Sequence, residues 1–119
     1  MKRKNLGLLG ENLALKHLKS KGYKILQRNF HSIFGEIDII GIEGGDLVFI
    51  EVKTRWSQSF GSPEEAIIPW KIKRIIRAGE YFQLLHPQLP QSLRLDAVVI
   101  ELDDQGEPKR IEILKNLTG

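Results

Sequence analysis

Two short stretches, Gly35-Glu36-Ile37-Asp38-Ile39-Ile40 and Leu47-Val48-Phe49-Ile50-Glu51-Val52-Lys53, carry acids and a lysine at a spacing suited to holding a divalent cation against a phosphate. They flank the turn Glu43-Gly44-Gly45-Asp46 and read as a β-hairpin with an even-length loop centred on the glycines. In that register Asp38 faces Glu51 and Glu36 faces Lys53. Side chains alternate across a strand, so Glu36, Asp38, Ile40 and Ile42 share a face with Leu47, Phe49, Glu51 and Lys53. That face is apolar near the turn and charged at the far end. Directly opposed carboxylates have Cβ atoms roughly 4.5–5.5 Å apart and repel each other, so the arrangement calls for a compensating charge. Mg²⁺ suits it, because this ion binds through one or two protein carboxylates and keeps room for water and phosphate oxygens. Lys53 points the same way and is placed to stabilise charge developing on a phosphate. The competing reading is an ordinary Glu36–Lys53 ion pair across the strands, with Asp38 and Glu51 solvated at the rim of the sheet. A one-residue slip would also remove the site, because it turns one strand's side chains to the other face.

The elements around the hairpin must position these groups. Residues 6–20 read as a helix with Leu6, Leu9 and Leu13 on one stripe, widened by Ala14, Leu15 and Leu18 and ended by Gly22. Glu11 projects from a partly apolar flank of that helix, where it either turns toward the acids or simply complements the helix dipole. Residues 23–30 follow as a strand near a sheet edge. Residues 54–61 lack periodicity and read as a mobile loop, from which Arg55 could reach a phosphate and Trp56 and Phe60 could stack on unpaired bases. Both aromatics could equally fold onto the core. Ser62-Pro63-Glu64-Glu65 has the makings of a helix start, with a cap, a proline at the first helical position and a capping-box glutamate. A longer helix runs from Pro69 to about Leu85, burying Ile72, Ile75, Ile76, Gly79 and Phe82 and turning Lys73, Arg74 and Arg77 outward. Leu93 to Glu101 and Arg110 to Leu114 are the last strands, the first carrying Arg94 and Asp96 as an ion pair on one face. A strand-helix-strand connection of this length favours a crossover, giving an α/β fold with a mixed five-stranded sheet flanked by helices.

At 119 residues and 41% hydrophobic content, residues 1–119 fit a single domain with one core. The absence of cysteine excludes disulfides and thiolate metal sites, so a metal must be held by oxygen or imidazole. No histidine has a neighbour at metal-ligand spacing. No apolar run is long enough to span a bilayer, and Gly7, Gly10, Glu11 and Asn12 interrupt any signal-peptide core, so the expectation is a cytoplasmic protein with no membrane partner. The net charge of +3 is unevenly placed. Residues 1–28 hold eight bases against Glu11 alone, and Lys71, Lys73, Arg74 and Arg77 form a second cluster. Two basic surfaces suit a polyanionic partner such as nucleic acid, or are solvated helix faces.

Gly10-Glu11, Gly35-Glu36-Ile37-Asp38 and Glu51-Val52-Lys53-Thr54-Arg55, with Arg94-Leu95-Asp96-Ala97-Val98 beyond them, closely resemble the YraN-like family, the uncharacterised protein family 0102. That family is similar to the PD-(D/E)xK nucleases and most like archaeal Holliday-junction resolvases, although Ile37 stands where the superfamily name puts a proline. The resemblance implies a restriction-endonuclease-like αβββαβ core. It also implies an Mg²⁺- or Mn²⁺-dependent endonuclease acting on DNA, including branched DNA, with Glu11, Asp38, Glu51 and Lys53 as catalytic residues. Asp38, Glu51 and the main-chain carbonyl of Val52 would ligate the metal, Glu11 would hold a water or a second ion, and Lys53 would serve the attacking water and the phosphate. Arg55, Trp56, Lys73, Arg74 and Arg77 are the expected nucleic-acid contacts, and Glu36 supports the acids from the rim. Resolvases cut symmetrically and so work as homodimers, an assembly the resemblance carries over as an expectation. Two other classes compete: a non-cleaving nucleic-acid-binding module with a nuclease fold, and a scaffold whose nuclease-like core serves stability alone.

Overall fold

A computed structural model of the chain describes residues 3–56, 64 and 67–118. Helix α1 (Arg3–Ser20) leads into strands β1 (Lys24–Ser32), β2 (Gly35–Glu43) and β3 (Asp46–Trp56). Helix α2 (Pro69–Leu85) then crosses over to β4 (Leu93–Leu102), and β5 (Pro108–Leu114) closes the order. The five strands lie side by side in sequence order, with β3 and β4 parallel and every other pair antiparallel. This is the expected mixed α/β sheet, an αβββαβ core extended by β5.

The two helices cover opposite faces. Ala14 and Leu18 of α1 pack with Ile39, Val48, Ile50, Val98, Ile100 and Leu102, whereas Ile75, Ala78 and Phe82 of α2 pack with Phe30, Ile37, Ile40, Leu47, Phe49 and Leu95. Strand alternation sorts the residues of β3 and β4 between these layers. Helix α1 stops in a Schellman turn: Gly22 has φ 90°, its amide donates to the Lys19 carbonyl, and the Tyr23 amide donates to that of Leu18. Gly44 and Gly45, with φ 60° and 82°, supply the two left-handed residues of the two-residue hairpin turn. Gly79 lets α2 approach the sheet, since a Cβ there would overlap the Phe49 ring.

One boundary differs from expectation. Thr54, Arg55 and Trp56 belong to β3 and not to a loop, because β4 supplies parallel partners as far as Trp56↔Leu102. Continuous pairing from the neighbouring strand overrides the polar local sequence. Phe60, the rest of the expected loop and most of the helix start at Ser62 lie outside the described residues. At the hairpin end, Asp96 is fully buried and accepts hydrogen bonds from Tyr23 Oη (2.7 Å), Arg94 Nε and Nη2 (both 3.0 Å) and the Asn116 amide (2.9 Å). Arg94 also binds Glu43 and Asp46 beside the β2–β3 turn, so the expected Arg94–Asp96 pair is the centre of a network locking that turn and the C-terminal segment.

Candidate active site

The hairpin register matches the expected one from Glu43↔Asp46 to Ile39↔Ile50, and there the β2–β3 ladder ends. Asp38 is therefore not paired with Glu51 as a cross-strand couple. Its Oδ2 instead accepts the Val52 amide at 2.8 Å, so the side chain bridges to β3 where the backbones part. The break coincides on β1 with Asn29, which lies between the pairs Arg28↔Ile39 and Phe30↔Ile37 and has a left-handed φ of 51°. Ile37 and Ile40 join the same core layer although three residues apart, so the alternation of β2 slips around Asp38. The Glu36–Lys53 alternative does not form either: Glu36 pairs with His31 Nδ1 (3.0 Å) at the exposed rim, and Lys53 Nζ lies 3.3 Å from Glu51 Oε1.

Helix α1 reaches the site because residue 10 is glycine. A Cβ at Gly10 would overlap the Thr54 side chain, so its absence lets the helix lie against β3. Glu11 follows, and its Oε1 accepts from Arg28 Nε (2.9 Å) and Asn29 Nδ2 (3.1 Å) in an ion pair with the Arg28 guanidinium, whose Nη2 donates to Asn12 Oδ1 (2.9 Å). Two cavities open on either side of Asp38, which lines both. The one toward α2, about 340 Å³, holds Glu51, Glu36, Lys71 and Trp70; the one toward α1, about 510 Å³, holds Glu11, Lys53 and Arg55. Among the described residues, no three acidic or imidazole side chains stand close enough together to hold a metal ion as a group. The structure thus brings Asp38 and Glu51 to one cavity, with Glu11 across Asp38 and tied to β1.

Burial and the neighbouring Glu51 charge push the Asp38 carboxyl up to about 7; Glu11 adds to the effect, and the Val52 amide and Lys53 oppose it. Lys71 enters from the first turn of α2, where its ammonium meets that of Lys53. That contact, burial and the Lys53 charge hold Lys71 below the usual lysine range, against the attraction of Glu51 and Asp38. Two acids and two lysines therefore share a small volume. Lys71 is the site residue missing from the sequence reading, which counted it only within a basic cluster. Of the expected nucleic-acid contacts, Arg74 lines the α2-side cavity, Arg55 lines the α1-side cavity, and Lys73 and Arg77 line an adjoining groove of α2 that shares Trp70 and Arg74 with the α2-side cavity. Trp56 lines neither cavity.

The donors fit a hard divalent cation. They are carboxylate oxygens with no thiolate, and Mg²⁺ needs only one or two such groups beside water and phosphate. Positive charge placed beside Asp38 and Glu51 would also offset the burial and the Glu51 charge that raise the Asp38 pKa.

The sequence pattern that defines the uncharacterised protein family UPF0102 matches residues 10–100, a span that holds Glu11, Asp38, Glu51, Lys53 and Lys71. The chain belongs to that family. A UPF0102 protein of Syntrophomonas wolfei is 45% identical over 101 residues, covering 85% of this chain and 88% of the relative. One from Caldicellulosiruptor saccharolyticus is 41% identical over 116 residues, 98% of each chain. The UPF0102 protein FRAAL5785 of Frankia alni is 42% identical over 110 residues, 92% of this chain and 91% of its own. Among the described residues of this UPF0102 protein, no helix is long and apolar enough to cross a membrane.

Proposed function

We propose that this UPF0102 protein is a cytoplasmic, Mg²⁺- or Mn²⁺-dependent phosphodiesterase that cuts DNA, branched DNA included. The observation that carries the reading is Asp38, anchored on the Val52 amide and standing beside Glu51 with Lys53 and Lys71 against the pair. Asp38 and Glu51 are the residues that would hold the ion, which when bound lowers the pKa of water and neutralises phosphate oxygens. The expected participation of the Val52 carbonyl belongs to the same proposal. Lys53 and Lys71 offer ammonium donors to the phosphate, stabilising charge as water adds to phosphorus and the P–O bond to the leaving alcohol breaks. Lys53 would also position the attacking water, and its ammonium lowers the pKa of the Lys71 amine beside it. Arg28 and Asn29 hold Glu11 at the far side of Asp38, where it can orient water.

A non-cleaving nucleic-acid-binding module is the second reading. It is favoured by the engagement of Glu11 with Arg28 and Asn29 and of Glu51 with Lys53, which leaves the acids partly neutralised from within the chain. The deciding experiment is cleavage of labelled four-way junction, flap, duplex and single-stranded DNA with Mg²⁺ or Mn²⁺, alongside Asp38→Ala and Lys53→Ala proteins. Cleavage that both substitutions abolish supports the phosphodiesterase. Salt-sensitive binding with no cleavage of any substrate moves the protein to the binding module. Light scattering in the same buffer tests the homodimer expected from the resolvase resemblance, which a monomeric mass would refute.

A further inference from the structure

Trp70 is a large aromatic left 53% exposed at the second residue of α2, and it lines the same cavity as Asp38, Glu51 and Lys71. Core packing does not explain it, since the buried residues of that helix are Ile75, Ala78, Gly79 and Phe82. Its neighbours are basic. The Arg74 guanidinium lies over the indole, 5.9 Å from the ring centroid, and is itself tethered by an Nε contact of 3.4 Å to the Phe34 carbonyl. Lys73 and Arg77 continue the charge along the groove beside the ring.

We propose that Trp70 is a stacking platform for an unpaired base, so that the substrate is single-stranded where it enters the site. The inference rests on the phosphodiesterase reading for its substrate class. A nucleotide carries base and phosphate on one sugar, and Trp70 and Lys71 are consecutive residues, one facing outward and the other into the acids. A phosphate against Lys71 therefore delivers its own or the adjoining base to the indole. In a duplex that base is stacked and paired within the helix, beyond the reach of a side chain on a short helix turn; in a single strand, flap or junction arm it is available. Aromatic rings accept any base by its π-face, and the basic neighbours track the backbone. The ring therefore selects for strand state and not for sequence.

The test uses the full chain in a Trp56→Phe background, where Trp70 is the sole tryptophan. Ca²⁺ replaces Mg²⁺, and fluorescence is read during titration with a 12-nucleotide oligo-dT and with a blunt 12-base-pair duplex. The expected result is quenching by the single strand and none by the duplex at equal occupancy. Trp70→Ala should weaken single-strand binding by about 5- to 150-fold, the range that base–aromatic stacking carries, whereas Trp70→Phe retains most of the affinity. Equal quenching by both DNAs, no quenching by either, or a loss under twofold in Trp70→Ala would overturn the proposal. Because binding is read without hydrolysis, the two ideas fail separately. Single-strand stacking without cleavage removes only the phosphodiesterase, and cleavage with strand-independent dependence on Trp70 removes only the platform.

Discussion

Asp38→Asn isolates the electrostatic tension of the site. The asparagine side chain still presents an oxygen to the Val52 amide, now 2.8 Å from Asp38 Oδ2, but carries no charge. Asp38 has a folded-state pKa of about 7 against an ordinary 3.8, raised by burial and by Glu51. A raised carboxyl pKa means that the folded chain binds a proton the unfolded chain gives up. Its contribution to stability is complete below pH 3.8 and is lost as pH rises through 7. Between pH 5 and pH 8 the linkage integral is about two pKa units, so the metal-free wild-type protein should lose about 2–3 kcal/mol relative to Asp38→Asn. Glu43, which Arg94 holds below its ordinary 4.5, acts in the opposite direction and below that window. The assay is urea denaturation of both proteins at half-unit pH intervals in EDTA, comparing the difference in unfolding free energy. Parallel profiles would refute the argument that Asp38 is protonated near neutrality. A second arm adds Mg²⁺, which competes with that proton; its stabilisation of wild type should be larger at pH 8 than at pH 5.5 and absent from Asp38→Asn.

Gly10→Ala should destabilise by about 1–3 kcal/mol despite the better helix propensity of alanine, because the new Cβ overlaps the Thr54 side chain, and Thr54→Ala should restore part of the loss on thermal melting. Asp96→Ala strips Tyr23, Arg94 and the Asn116 amide of a shared acceptor and leaves Arg94 half-buried; about 3–5 kcal/mol should be lost in chemical denaturation, against about 1 kcal/mol for Tyr23→Phe. Lys71→Gln should lower the DNA cleavage rate by about tenfold or more while leaving the urea midpoint and melting temperature of the protein nearly unchanged, and an unaltered rate would remove Lys71 from the chemistry.

Much of the fold was legible because its determinants are local. The spacing of Leu6, Leu9, Ala14 and Leu18 marks α1, Gly22 marks its stop, and the glycine pair at 44 and 45 fixes the hairpin register from Glu43↔Asp46 to Ile39↔Ile50. Beyond Ile39 a regular hairpin would continue that pairing. This one does not: the Asp38 side chain takes up the Val52 amide, at the level where Asn29 on β1 is left-handed beside the partner of Ile39. Nothing in the hairpin's own residues carries that information. The extension of β3 through Trp56 is hidden for the same reason, since its partners, such as Leu102 opposite Trp56, are on β4, 46 residues later in the chain.

Lys71 is a different case, because the signal was present and was outweighed by a neighbouring one. Lys71, Ile75, Ala78 and Phe82 fall at i, i+4, i+7 and i+11, one stripe of an α-helix. Lys73, Arg74 and Arg77 fall on the exposed side. Grouping all four bases by proximity in sequence made Lys71 look like one more solvated charge. Grouping them by helical phase puts it on the buried stripe, one turn before the core begins, where an ammonium must find acidic or polar partners as the helix docks. The sheet rim under that turn carries Asp38 and Glu51. A lysine on the buried stripe of the crossover helix and a carboxylate pair on the hairpin it crosses are complementary features, so the meeting of Lys71 with the acids follows from helical phase and topology together, though from neither alone.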